Sequence, residues 1–160
     1  MARIIALALL GLFPLLVGAT DNSNNTTVIG SNVDLVEGYH AMLSGDYEYA
    51  VEKLKQGIKA TPNNRDRAKA YSNLCAGYTI LEQYELAVES CNQSLDLQPR
   101  SWHALNNRAL ALMFMDRLAE AEADVNDAMK INPDAPKLQR TREILLGRLR
   151  IPRVTIEDHT

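Results

Sequence analysis

Between Ala68 and Ser101 the apolar side chains fall at helical spacing twice in succession. Tyr71, Leu74, Cys75, Tyr78 and Leu81 advance by steps of three and four, which gathers them on one face of a helix. After a polar break at Glu82 and Gln83, Tyr84, Ala87, Val88, Cys91 and Leu95 do the same. Pro99 stops the second run, because proline lacks an amide donor and biases the preceding residue away from helical angles. The pattern predicts a helical hairpin. It recurs on both sides: 34 residues onward Pro99 falls on Pro133, Ala87 on Ala121, Tyr84 on Leu118 and Leu74 on Arg108. A shift of 37 residues backward puts Pro99 on Pro62, Ala87 on Ala50 and Tyr84 on Tyr47, the three extra residues being absorbed at Arg65 to Arg67.

A period of this size signals a repeat array, and the middle unit resembles the tetratricopeptide repeat. That family's large aromatic, Leu-Gly, Tyr, Ala, aromatic and closing Pro correspond here to Tyr71, Leu74, Cys75, Tyr78, Ala87, Cys91 and Pro99. The two cysteines depart from the pattern, one at a small-residue place and one at a large apolar place. Repeat one has Gly38, Gly45, Tyr47, Ala50, Leu54 and Pro62 in family places; repeat three has Ala109, Leu112, Leu118, Ala121, Val125, Ala128 and Pro133. The resemblance implies an all-α fold, a right-handed superhelical array of three helix-turn-helix units at residues 31–64, 68–101 and 102–135. An unrelated helix bundle is the competing architecture, but it needs no shared proline spacing.

Local signals place the individual helices. The first begins near Asn32 or Val33, turns Val33, Val36 and Ala41 inward, and breaks at Ser44, Gly45 and Asp46. The second runs from Tyr47 to about Ala60, and the third starts near Arg65 or Asp66. Tyr84 to Leu97, Trp102 onward with Ser101 as cap, and Leu118 to Ile131 complete the hairpins. Alanines 50, 87 and 121 are small side chains expected where the arms of each hairpin touch. A capping helix over 136–150 is signalled by Asp134 as cap and Pro136 in the first turn, with Leu138, Leu145 and Leu149 on one stripe. Its charged set counts five basic residues and one acidic, either a solvated outer face or a dock for an acidic partner or anionic lipid.

Composition adds the compartment. The 160 residues fit one domain, and a net charge of −3 argues against an electrostatic nucleic-acid binder. Arg3, the uncharged apolar run Ile4 to Val17, and Gly18-Ala19 form the pattern of a secretory signal peptide over residues 1–19, with cleavage expected after Ala19. The alternative is an uncleaved anchor, which would make the protein a membrane-tethered adaptor; no cysteine follows the run for lipid attachment. The Asn-, Thr- and Ser-rich start of the mature chain (20–31) and the tail 151–160 are expected to be flexible. Asn24, Asn25 and Asn92 open glycosylation triplets, taken as coincidence because the plain signal segment points to the bacterial periplasm.

Catalysis finds no footing. His40, His103 and His159 are not spaced with other ligands as a metal site requires, and no phosphate loop or nucleophile elbow is present, so the expectation is no enzyme, no metal and no cofactor. Cys75 and Cys91 are candidates for a disulfide about one helical turn out of register, or for two buried thiols.

The resemblance also implies a binding face, since the first helices of successive repeats line a concave groove in that family. The corresponding places include Leu35, Tyr39, Met42 and Leu43 in repeat one, Ala76, Thr79 and Ile80 in repeat two, and His103, Asn106, Leu110, Met113 and Phe114 in repeat three. A subtype that grips a partner's terminal carboxylate with Lys, Asn and Arg has its places here at Leu35, Tyr39, Asn73, His103 and Asn107, of which Asn73 alone agrees. The expected function is a periplasmic protein-interaction scaffold that holds an apolar or amphipathic peptide segment, without nucleic acid and without membrane insertion once the signal is cleaved. Against this stands a self-packed or homodimeric module, its groove covered by Val28 and Ile29 or by a second copy.

Overall fold

The computed structural model describes residues 32–150, so the signal segment, the Asn-rich start and the tail lie outside the described residues. Within them the chain forms seven α-helices and no strand: α1 (Val33–Ser44), α2 (Tyr47–Ala60), α3 (Asn64–Ile80), α4 (Tyr84–Leu97), α5 (Trp102–Phe114), α6 (Leu118–Ile131) and α7 (Pro136–Arg150). None of them is long and apolar enough to cross a membrane. Successive helices pair into three antiparallel hairpins stacked side by side, and α7 closes the open end against α5 and α6.

Side-chain caps start α1, α2, α3 and α5, while α4 and α6 begin without one. Asn32 Oδ1 accepts from Leu35 N at 3.2 Å, Asp46 from Tyr49 N at 3.3 Å, and Ser101 Oγ from Ala104 N at 3.3 Å, each satisfying an orphan amide of a first turn. The link between arms passes through a left-handed residue at the same point of every repeat: Gly45 (φ 84°), Glu82 (φ 60°) and Asp116 (φ 57°). Only the first is a glycine, so repeats two and three hold a strained backbone there.

Four expectations need correction. The third helix, lengthened to 17 residues by the three extra ones, begins at Asn64 under an Asn63 cap, slightly before the expected Arg65 or Asp66, because the Asn63 side chain accepts from the Arg65 amide. The last helix begins at Pro136, which puts Ala135 rather than Asp134 at the capping position. Its buried stripe is Leu138, Thr141 and Leu145, while Leu149 faces outward. On α1, Val33 is 69 % exposed; the inward face is Leu35, Gly38, Ala41 and Met42.

The hairpin arms approach closely. Ala50, Ala87 and Ala121 have no exposed surface. In the first hairpin leucines drop into glycine notches in both directions: a Cβ on Gly57 would lie 2.4 Å from Leu35 Cδ2, and one on Gly38 would lie 2.8 Å from Leu54 Cγ. Lys53 on α2 also reaches Asp34 at 3.0 Å and Glu37 at 2.8 Å on α1, a surface cluster that solvent and salt screen. In the second hairpin Cys75 and Cys91 are joined by a disulfide, their Cα atoms 5.3 Å apart. They are in register, because Cys75 stands seven residues before Glu82 and Cys91 eight after Gln83, nearly the same rise from the turn. In the third hairpin Arg108, at the place of Leu74, holds buried Asp124 through Nη2 at 2.6 Å and Nε at 2.8 Å and also reaches Asn92 on α4 at 2.6 Å.

Two apolar clusters follow, one under the first two hairpins and one under the third with α7. Val88 and Leu95 of α4 pack against both, which makes the core continuous along the stack.

The glycines give a test in which one substitution has opposite signs. Gly57→Ala gains helix propensity but drives its methyl into Leu35, backbone nitrogen included, and is expected to lose about 1–3 kcal/mol in urea unfolding. Gly147→Ala meets nothing within 4 Å and is expected to gain up to about 1 kcal/mol. Equal effects at both sites would contradict the notch.

Candidate functional site

The inner wall of the stack is built by α1, α3 and α5. Asn107 on α5 pins the last two together: its Nδ2 donates to the Ser72 carbonyl at 3.0 Å and lies 3.3 Å from the Ser72 hydroxyl, with both residues buried. Beyond this tie, toward the C-terminal ends of the two helices, lies an open cleft of about 240 Å³. Ala76, Thr79 and Ile80 form one side and Asn107, Leu110 and Phe114 the other, while Glu82 of the second turn and Tyr84 at the start of α4 close the end. Phe114 stacks on Tyr84 with ring centroids 5.3 Å apart and planes 9° from parallel. Even so it remains 59 % exposed, and Ile80 is 47 % exposed. Large apolar side chains left open beside a cleft mark a surface suited to an apolar partner.

The groove places divide into three groups. Ile80, Asn107, Leu110 and Phe114 come together in the cleft. Tyr39 and Leu43 stay half-buried on α1, where Tyr39 meets His40 edge to face at 5.6 Å; neither lines the cleft. Leu35, Met42, Asn73 and Met113 are buried and correct the expectation that they meet a ligand. Leu35 fills the Gly57 notch, Met42 lies against Gly77 of α3, and Met113 belongs to the third-repeat core, its carbonyl accepting from Arg148 of α7. Asn106 is buried as well, and its amide group has no hydrogen-bond partner among the described residues.

His103 opens α5 and stacks on Trp102, with ring centroids 3.7 Å apart. Burial, and secondarily the charge of Lys137 on α7, push its pKa down to about 4, so the ring is neutral at physiological pH. None of the four non-matching places of the carboxylate-gripping subtype therefore carries a positive charge: Leu35 is buried, Tyr39 and Asn107 are neutral residues, and His103 is unprotonated. Glu82 was hidden from the sequence pattern because it read only as a connector, and Tyr84 because its helical spacing placed it on the stripe of the second helix. Among the described residues no three His, Cys, Asp or Glu side chains converge as a metal site would need.

Comparison with known proteins agrees with this geometry. Residues 103–135, the third hairpin, match the family model described as tetratricopeptide repeat. Sperm-associated antigen 1 of Mus musculus is 31 % identical over 111 residues, which are 69 % of this chain and 12 % of that protein. Photosystem I assembly protein Ycf3 of Synechococcus sp. (strain CC9311) is 30 % identical over 92 residues, 58 % of this chain and 53 % of its own length. The chain thus spans a small part of the first relative and about half of the second. Among solved structures, the second TPR domain of the human RPAP3 protein, in complex with the HSP70 peptide SGPTIEEVD, superposes with a TM-score of 0.63 at 25 % identity, over 71 % of this chain and 92 % of that one.

The depressed His103 pKa fixes a pH dependence. The unfolded chain takes up a proton near the ordinary value of 6.5 while the folded ring resists until about 4, so this contribution is full above 6.5 and is lost as pH falls toward 4. Thermal melts of wild type and His103→Gln across that window are expected to diverge, the wild type losing more melting temperature; parallel curves would contradict the buried neutral ring.

Proposed function

The chain belongs to the tetratricopeptide-repeat family, and from that premise we propose that it is a non-enzymatic scaffold holding a protein segment in the cleft between α3 and α5. The observation that carries this is that Ile80 and Phe114 stand exposed together at the rim of an open cleft, whereas the other exposed large apolar side chains, Val33, Tyr49, Leu86, Ile144 and Leu149, do not line it. The segment it suits is apolar or amphipathic. The RPAP3 domain binds a peptide ending in Glu-Glu-Val-Asp, whereas the places that would answer a terminal carboxylate here hold Leu35, Tyr39, His103 and Asn107. A neutral His103 does not replace a lysine in that task.

We place the scaffold in the bacterial periplasm. Support comes from the basic start, the apolar run Ile4 to Val17 and the small-residue exit at Ala19. The buried Cys75–Cys91 bridge adds to it, because structural disulfides persist in oxidising compartments. Retention of the apolar run would tether the same scaffold to the membrane.

The test is a single substitution. A peptide selected on the wild-type chain from a random library is expected to bind Phe114→Ser at least about tenfold more weakly, with the melting temperature changed by no more than about 2 °C, since the ring is mostly exposed. Unchanged affinity removes the cleft from the function. A large drop in melting temperature with affinity retained would instead favour a self-packed or dimeric module.

A further inference from the structure

Within the reading of this cleft as a peptide site, one carboxylate stands out. Glu82 is the sole charged residue in the lining, among side chains that are otherwise apolar or neutral. It occupies the left-handed position at φ 60°, where repeat one has Gly45. Asp116, its counterpart in repeat three, is answered by Arg148 of α7 at 3.4 Å. No cation among the described residues pairs with Glu82 within 4.0 Å. The negative ends of α3 at Ile80 and α5 at Phe114 meet at this rim, but the positive end of α4 at Tyr84 adjoins Glu82 and Arg148 answers α5 at the Met113 carbonyl, so the carboxylate itself, not the helix dipoles, sets the charge of the cleft. Lys69 sits near the start of α3, eleven residues before Ile80 and so about 16 Å along the helix, beyond reach of effective compensation in salt.

We propose that the cleft recognises a segment pairing one aromatic or aliphatic residue with an adjacent lysine or arginine. The apolar side chain enters between Ile80, Leu110 and Phe114, and its basic neighbour meets Glu82 at the rim. The preferred charge is opposite to that of the acid-ended HSP70 peptide bound by the RPAP3 domain.

Three synthetic peptides identical except for arginine, glutamine or glutamate beside a phenylalanine anchor test this by fluorescence anisotropy on the full chain. The arginine peptide is expected to bind about threefold to fivefold more tightly than the glutamine peptide, and the glutamate peptide more weakly still. Glu82→Gln keeps the size of the side chain and should abolish that order, bringing the three affinities together; about 0.5 M salt should compress the order on the wild-type chain. Equal binding of all three overturns the charge preference and leaves the cleft reading standing. Failure of all three, together with a Phe114→Ser chain that binds its library-selected peptide normally, overturns both. The chain's own Ile151-Pro152-Arg153-Val154 carries the same pairing of apolar and basic residues. If Arg153→Gln raises the affinity for the arginine peptide, that segment is the occupant and the external partner falls.

Discussion

The close approach of the two arms within each hairpin is the constraint from which the rest follows. Fully buried alanines at 50, 87 and 121 keep the crossing thin in every repeat, and each repeat then secures it differently. The first uses leucines in glycine notches, the third an ion pair between Arg108 and Asp124, and the second a covalent bridge between Cα atoms 5.3 Å apart. Closing a loop with a sequence separation of 16 stabilises by roughly 3 kcal/mol in the chain-entropy account. Against a typical net stability of about 5–15 kcal/mol, that is a large share. The central position of the bridge matters too, since α3 touches both neighbouring hairpins and α4 touches the third.

Buried polar bonds then fix the packing within the second hairpin and between it and the third. Ser94 on α4 donates to the Ala68 carbonyl on α3 at 2.7 Å, and Asn107 crosses from α5 to the backbone of α3. Such bonds have fixed lengths and are costly to leave unmade once desolvated, so they specify register better than apolar contact does. Beyond the Asn107 tie the helices present Ile80, Leu110 and Phe114 without a covering element among the described residues, and the cleft is the result. The function proposed for the protein thus occupies the place where inter-repeat bonding stops.

The sequence made much of this architecture legible. Prolines, polar breaks and the shared alanines locate α2, α4 and α6, and the Ser101 cap locates the start of α5. Where two signals competed, at the three-residue insertion before α3 and at Asp134 beside Pro136, the boundary moved by one or two residues. Site prediction was less complete for a physical reason. Family places identify the face of a helix but not the depth of a side chain, so Ile80, Leu110 and Phe114 emerge as surface while Leu35, Met42 and Met113 sink into the core. Arg108 shows the same limit: its mismatch with Leu74 is visible in the sequence, yet its partners Asp124 and Asn92 lie 16 residues away in either direction and are joined only by folding. Glu82 needed the turn geometry before its carboxylate could be placed at the cleft.

Native-state hydrogen exchange of the oxidised and the reduced protein tests the central claim most directly. With the bridge intact, the amides of α3 and α4 should be the slowest in the chain; on reduction they should speed up together by the equivalent of roughly 3 kcal/mol, bringing α5 with them. Exchange in α3 and α4 that is indifferent to reduction, with the slowest amides lying in another hairpin, would contradict the account.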